Sequence, residues 1–268
     1  MTSLWHAFLA EHSIDEPGRG GPPWVMAHRG YSGVAPENTL PAIEAARLIG
    51  CDYIEIDLAN TSDGVPVIIH DDDVDRTTDG KGDVDKKTFA QLADVDAGSW
   101  RGPGYTGVTV PRLDEVLAGF QSHGGRLLLE FKDYWDPVSV GTVGEMIREA
   151  ELSENVIIQS FNVDTVRSMR DIVPDLPRGL LRFVPRLEDL ELIEELGAIC
   201  YNPGLRGFML RQKTAAEILA HDIGMFVWTA DKPEDWDRLM EIGVNGIISN
   251  QPGRLQGYIA AKFGKGEE

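Results

Sequence analysis

Cysteine is nearly absent: Cys51 and Cys200 are the only two in 268 residues. Both sit in apolar, strand-like or helix-end contexts, where a pair is more often buried thiols than a bridge. A reducing compartment, the cytoplasm, is therefore the expectation. Positive charge is scarce as well, with 25 Lys and Arg against 44 Asp and Glu and a formal net charge of −19. A field of that sign repels phosphate backbones and anionic lipid surfaces, which argues against a nucleic-acid partner. No apolar run approaches the ~20 residues that cross a bilayer, so stable membrane insertion is not expected. The first 23 residues have no cationic start, no unbroken apolar stretch and no small-residue cleavage site, and so do not read as a secretory signal. Short repeats, heptads and low-complexity tracts are missing too, and Lys262–Glu268 reads as a frayed terminus. Nothing in the sequence bears on oligomeric state.

What is present is the material of a globular enzyme: 42% hydrophobic and 26% charged residues, enough to bury a core. Apolar, β-rich runs recur at Trp24–His28, Asp52–Leu58, Val65–His70, Arg126–Phe131, Val156–Ser160, Gly179–Phe183, Ala198–Tyr201, Met225–Thr229 and Gly246–Ser249. Helical periodicity fills most of the gaps, at Glu37–Ile49, Arg112–Gln121, Val138–Leu152, Val163–Ile172, Leu187–Leu196 and Pro233–Ile242. That alternation is the signature of a parallel α/β fold. The second and third runs are joined only by Ala59–Gly64, too short for a parallel crossover and tipped by Asp63-Gly64, so they predict a hairpin. Eight strands remain. The expectation is one TIM (β/α)8 barrel over residues 1–268, with an N-terminal extension over 1–23 and a hairpin and loop excursion, 71–111, over the site.

Several strand ends carry reactive groups. The first run ends in His28-Arg29-Gly30. In the second, Glu55 and Asp57 alternate with Ile54 and Ile56, so both carboxylates face one side, the barrel interior or its rim, while the isoleucines pack under helices. The next barrel strand ends in Glu130-Phe131-Lys132, which adds a third carboxylate and an amine on one face. Carboxylates so close repel unless a cation lies among them. Read alone, Glu55 and Asp57 fit an Arg or Lys bridge as well as a metal. With Glu130 they suit a hard, oxygen-seeking divalent ion, Mg²⁺ or Ca²⁺, better than Zn²⁺, for which no Cys cluster or His-x-x-x-His helix is present. His70-Asp71, beyond the hairpin, supplies a second imidazole. Two histidines with ordinary pKa values near 6.5 can divide acid and base roles.

These pieces stand in an order that resembles the glycerophosphodiester phosphodiesterase family. The likeness runs from Val25 to about Pro252 through His28-Arg29-Gly30, Pro36-Glu37-Asn38-Thr39, Glu55-x-Asp57, Asp63-Gly64-Val65-Pro66-Val67, His70-Asp71, Asp75-Arg76-Thr77-Thr78, Glu130-x-Lys132, Gln159-Ser160-Phe161, Trp228-Thr229 and Gly243-x-x-Gly246-Ile247-Ile248. The resemblance implies a β/α barrel with His28 and His70 as acid and base, and Glu55, Asp57 and Glu130 as ligands of one divalent cation. It implies Arg29 and Lys132 as phosphate contacts, Trp228 as a substrate contact, and Glu37, Asp75 and Asn250 as supporting groups. The implied reaction is cleavage of small glycerophosphodiesters, such as glycerophosphocholine or glycerophosphoethanolamine, to glycerol 3-phosphate and an alcohol. Release of a head group from lysophospholipids and non-catalytic phosphodiester binding are the rival readings. The sequence departs from the family pattern at Asp231, where Asn is common, and at Ser249-Asn250, where Thr-Asp is common. Both departures bear on leaving-group preference.

Overall fold

The computed structural model describes residues 2–264. Nine strands form one sheet: β1 Trp24–His28, β2 Tyr53–Asn60, β3 Pro66–Ile68, β4 Leu127–Phe131, β5 Val156–Ser160, β6 Arg178–Arg182, β7 Cys200–Pro203, β8 Phe226–Val227 and β9 Gly246–Ser249. Eight of them run parallel in the order β7-β6-β5-β4-β2-β1-β9-β8, and parallel bridges Cys200–Gly224 and Gly204–Trp228 bring the last strand beside the first. The result is a nearly closed β/α barrel with helices outside. β3 lies off this path, antiparallel to β2 with Leu58 opposite Ile68, so the expected hairpin is present. Gly64 at its tip has φ +77°, a left-handed turn that glycine adopts without steric cost.

Strand alternation sorts the side chains into two cores. Outward residues such as Val25, Ile54, Ile56, Leu127, Leu129 and Ile158 are buried under the helices. Inward residues at the N-terminal ends, among them Trp24, Met26, Tyr53, Leu128, Ile157 and Phe226, fill the barrel floor. Further along the same strands the inward positions turn polar, to His28, Glu55, Glu130 and Gln159, and line a cavity at the C-terminal ends. The floor excludes water, and the rim holds the chemistry.

Three segments differ from their sequence reading. The N-terminal extension contains a helix, Leu4–Glu11, capped by the Ser3 hydroxyl, whose Trp5, Phe8 and Leu9 close the bottom of the barrel. Its moderate apolar pattern is short, and only the floor it plugs reveals its purpose. The strand expected over Val65–His70 is confined to Pro66–Ile68, because Ile69 donates its N–H back to the Asp57 carbonyl and the chain then bends away. Segment 71–111 is more than a plain loop: Val74, Val84, Leu92, Ala97 and Val110 pack with Val67 and Ile69 into a core of their own. Helices Leu205–Leu210, Gln212–Leu219 and Pro252–Phe263 complete the outer layer. The last of these runs through Lys262, and residues 265–268 of the expected frayed end lie outside the described residues.

Trp5 is 1% exposed, 5.5 Å from Trp24 and 5.9 Å from Phe226 between ring centroids, and Gly224 leaves the room its indole occupies. Trp5→Ala should therefore destabilise the fold by about 3–5 kcal/mol in urea unfolding. Trp5→Phe should cost much less, because the buried indole N–H has no partner to lose. A Trp5→Ala loss under ~1 kcal/mol would show that this helix does not seal the floor.

Candidate active site

The turn after β1 sets the geometry. Arg29 adopts φ +56° and Gly30 φ +73°, and a Cβ on Gly30 would lie 2.6 Å from the Ala42 carbonyl carbon. Only glycine fits there, and the forced turn aims the Arg29 N–H at Glu55 Oε2, 2.9 Å away. The guanidinium then folds over the acids, with Nε 3.3 Å from Asp57 Oδ2 and Nη1 2.6 Å from Glu37 Oε1. Asn38, also left-handed at φ +56°, donates to Asp57 Oδ2 at 2.7 Å and accepts from the Asp57 N–H at 3.2 Å.

Glu55, Asp57 and Glu130 each bring an oxygen within 4.8 Å of the others, all three side chains being buried. The cationic neighbours are Arg29 and Lys132, whose Nζ lies 2.9 Å from Glu130 Oε1 and 3.7 Å from Asp57 Oδ1. Two cations against three carboxylates leave an excess of negative charge. Burial and the two neighbouring acids push Glu55 well above the usual carboxylate range, and burial with Asp57 pushes Glu130 up to about 7. Burial acts on Asp57 in the same direction, yet Arg29, His70, Lys132 and the Asn38 amide together hold it below its ordinary value. Glu130 Oε1 is buried with no hydrogen bond of acceptable geometry despite the nearby amine. An all-oxygen donor set with an unsatisfied buried oxygen fits a hard divalent cation.

The two imidazoles are held differently. His28 Nδ1 is 2.7 Å from Asn250 Oδ1. The Asn250 amide is oriented by Asp231, which accepts from Asn250 Nδ2 at 2.7 Å and from its backbone N–H at 2.8 Å. Asp231 only accepts, so Asn250 turns its oxygen to His28, and His28 carries its proton on Nδ1 with a free lone pair on Nε2. Burial and the Arg29 charge push His28 down to about 4, against the pull of the Asn250 bond. The two departures from the family pattern thus form one unit, a carboxylate at 231 and an amide at 250 in contact with each other. His70 Nδ1 instead faces a carboxylate, Asp71 Oδ1, at 2.6 Å. Hydrogen bonds from Arg76 hold the Asp71 carboxyl well below the usual range.

Both histidines, Arg29, Glu55, Glu130, Lys132 and Trp228 line one cavity of about 660 Å³, and Asp57 lies beneath it in contact with Arg29 and Lys132. Phe161, Phe183 and Trp228 wall the opposite side, with ring centroids 4.7–5.6 Å apart. Trp228 therefore both fills space at the rim and faces the cavity. Glu37 and Asn250 reach the site through Arg29 and His28. Asp75 does not: its carboxylate accepts from the Gly82 N–H and pairs with Lys81 on the excursion, because the turn points the next residue inward in its place. That residue, Arg76, bridges Glu37 and Asp71 at 2.6–3.0 Å and was missed by sequence reasoning, as were Asn38, Asp71, Gln159, Phe161 and Phe183. For all but Phe183 the signal lay in the ordered motifs, but a partner 39 residues away, Glu37, gives an exposed arginine no visible role. No residue of 71–111 lines the cavity; the excursion buttresses it from beside β1, where the Tyr105 hydroxyl donates to the Val34 carbonyl.

The model of the glycerophosphoryl diester phosphodiesterase family matches residues 28–254. The chain belongs to that family. A glycerophosphodiester phosphodiesterase of Caldanaerobacter subterraneus subsp. tengcongensis is 34% identical over 233 residues, 86% of this chain and 95% of the relative. One of Bacillus subtilis is 30% identical over 244 residues, 85% of this chain and 83% of the other. Among solved structures, an Oleispira antarctica phosphodiesterase in complex with the product sn-glycerol-3-phosphate superimposes with a TM-score of 0.79 at 30% identity, covering 88% of this chain and 96% of that one. The glycerophosphodiester phosphodiesterase of Agrobacterium tumefaciens gives 0.73 at 26% identity, covering 89% and 99%. This chain is thus an enzyme of the phosphodiesterase class, and no helix among its described residues is long and apolar enough to cross a membrane.

The His28 environment makes a prediction about protonation. Its folded pKa lies below the ordinary 6.5, so the imidazole stays neutral as pH falls until about pH 4, and the stability tied to the neutral form is lost across that window. An NMR titration of the His28 ring in the metal-free protein should show a midpoint near 4. Asn250→Asp should move that midpoint up by placing a carboxylate on Nδ1. A wild-type midpoint near 6.5 would contradict the assigned environment.

Proposed function

We propose that this diesterase hydrolyses small glycerophosphodiesters, such as glycerophosphocholine or glycerophosphoethanolamine, to glycerol 3-phosphate and an alcohol. The observation that carries the reading is the convergence of two unlike imidazoles, three buried carboxylates and two cations on one cavity. The product bound to the Oleispira antarctica relative supports the same chemistry. Glu55, Asp57 and Glu130 would hold a divalent cation, Mg²⁺ or Ca²⁺, which when bound supplies positive charge at a phosphoryl oxygen. Arg29 and Lys132 add charge where negative charge develops, and the net charge of −19 makes such local concentration necessary. His28, with its free Nε2, takes the proton of the nucleophile, water or the substrate's own glycerol hydroxyl. His70, held through Nδ1 by the Asp71 carboxylate, gives one to the departing alcohol oxygen. Asn250 and Asp231 hold the base in its tautomer, and Arg76 and Glu37 tie the acid's partner to the phosphate-binding arginine. The free thiols Cys51 and Cys200 are compatible with a cytoplasmic setting.

A second reading has one observation behind it: the apolar wall of Phe161, Phe183 and Trp228, with Phe183 67% exposed, offers a surface to a lysolipid chain. A panel of glycerophosphodiesters and lysolipids with Mg²⁺, Ca²⁺ or chelator, products read by phosphorus NMR, separates the two. Turnover that rises with acyl length supports the lysolipid reading, and a cyclic phosphate signal identifies a glycerol hydroxyl as the nucleophile. No turnover of any member with either metal sinks both.

His28→Ala and His70→Ala should each lower kcat by at least ~10²-fold. On a nitrophenyl ester, which departs without a proton, the His70 variant should recover and the His28 variant should not. The reverse pattern would exchange the two roles. Metal binding should release protons, because Glu55 and Glu130 are raised and must ionise to ligate. Affinity for Mg²⁺ or Ca²⁺ should therefore weaken as pH falls below about 7, and calorimetry in buffers of different ionisation enthalpy should detect the protons. Binding with no proton release down to pH 5 would remove these carboxylates from the ligand set.

A further inference from the structure

Gln159 sits on β5 beside Glu130, is 1% exposed, and lines the cavity, yet the mechanism above gives it no task. Its carboxamide orientation is dictated from two strands away. The backbone N–H of Phe226 donates to Asn202 Oδ1 at 3.1 Å, and a backbone N–H can only donate. Asn202, 0% exposed on β7, must therefore present Nδ2 on its other side, where it donates to Gln159 Oε1 at 2.8 Å. With Oε1 occupied, the NH₂ group is what Gln159 has left to offer the cavity it lines, and among the described residues its one side-chain hydrogen bond is the one that Oε1 accepts. The bond passes over β6 at Gly179, where a Cβ would lie 2.6 Å from Cys200 Sγ and 3.1 Å from Asn202 Nδ2. Glycine at that position keeps the path open.

We propose that Gln159 is a substrate-binding donor, its NH₂ fixed toward the cavity by Asn202 reaching across Gly179, and that it contacts an oxygen of the phosphodiester substrate. This rests on the diesterase reading above. A neutral donor suits a site crowded with carboxylates, because it binds an acceptor oxygen without forming a further ion pair. Asn202 is the positioning residue and touches no substrate.

The discriminating variant is Asn202→Asp. The new carboxylate still accepts from Phe226 but cannot donate, so Gln159 flips, gives its NH₂ to residue 202 and turns Oε1, an acceptor, toward the anionic substrate. KM and the Kd for sn-glycerol 3-phosphate should rise roughly 10- to 100-fold, the scale of a hydrogen bond to a charged group, with kcat changed far less. Gln159→Leu should do the same. Unfolding curves establish that each variant is folded, and if Asn202→Asp is not, Gln159→Leu decides alone. Calorimetry with inorganic phosphate distinguishes the acceptor: weakened phosphate binding points to a phosphoryl oxygen, and weakening for glycerol phosphate only points to a glycerol hydroxyl. A folded variant that binds and turns over like wild type overturns the proposal. A wild-type protein that turns over no glycerophosphodiester instead overturns the diesterase reading, while phosphate binding still tests the donor.

Discussion

Three buried carboxylates at one end of a barrel are the constraint around which the rest of this molecule is arranged. Glu55, Asp57 and Glu130 are adjacent because β2 and β4 pair in register, with Asp57 opposite Glu130. Left alone they would repel and protonate. The groups that counter this are local and specific: the left-handed Arg29, the Lys132 amine and the Asn38 amide. Their combined charge still falls short of three, and the shortfall makes the site receptive to a divalent cation. A protein with a net charge of −19 can attract a phosphodiester only where such a concentration of positive charge is built.

Around that centre, donors and acceptors are oriented by chains that end in groups with no freedom of choice. Asp231 can only accept, so it fixes Asn250 and through it the tautomer of His28. Asp71 places a carboxylate on His70, and Arg76 with Glu37 joins that carboxylate to Arg29, a continuous ionic chain from one histidine to the other side of the cavity. The two imidazoles are the same residue type in one pocket. What distinguishes their settings is that one leans on an amide and the other on an anion.

The floor of the barrel has the opposite character. Trp5, Trp24, Tyr53 and Phe226 pack below the polar layer, and the helix that brings Trp5 comes from the N-terminal extension. An apolar floor beneath a charged rim keeps water from the inward carboxylates, and that burial, with the neighbouring acids, raises the pKa values of Glu55 and Glu130.

The sequence by itself determined the barrel, the hairpin after the second strand and the shared face of Glu55 and Asp57, because strand and helix periods are local and an Asp-Gly tip forces reversal wherever it occurs. Ordered motifs also marked His28, His70 and the three acids as neighbours. Tertiary structure decided what depends on partners far apart in the chain. It turned Asp75 outward and Arg76 inward, paired Asp231 with Asn250, and carried Asn202 over Gly179 to Gln159. It also made a plug of the N-terminal helix and a buttress of the excursion. Hydrogen-bond direction and close approach are properties of pairs in space, and no spacing along the chain encodes which pairs will meet.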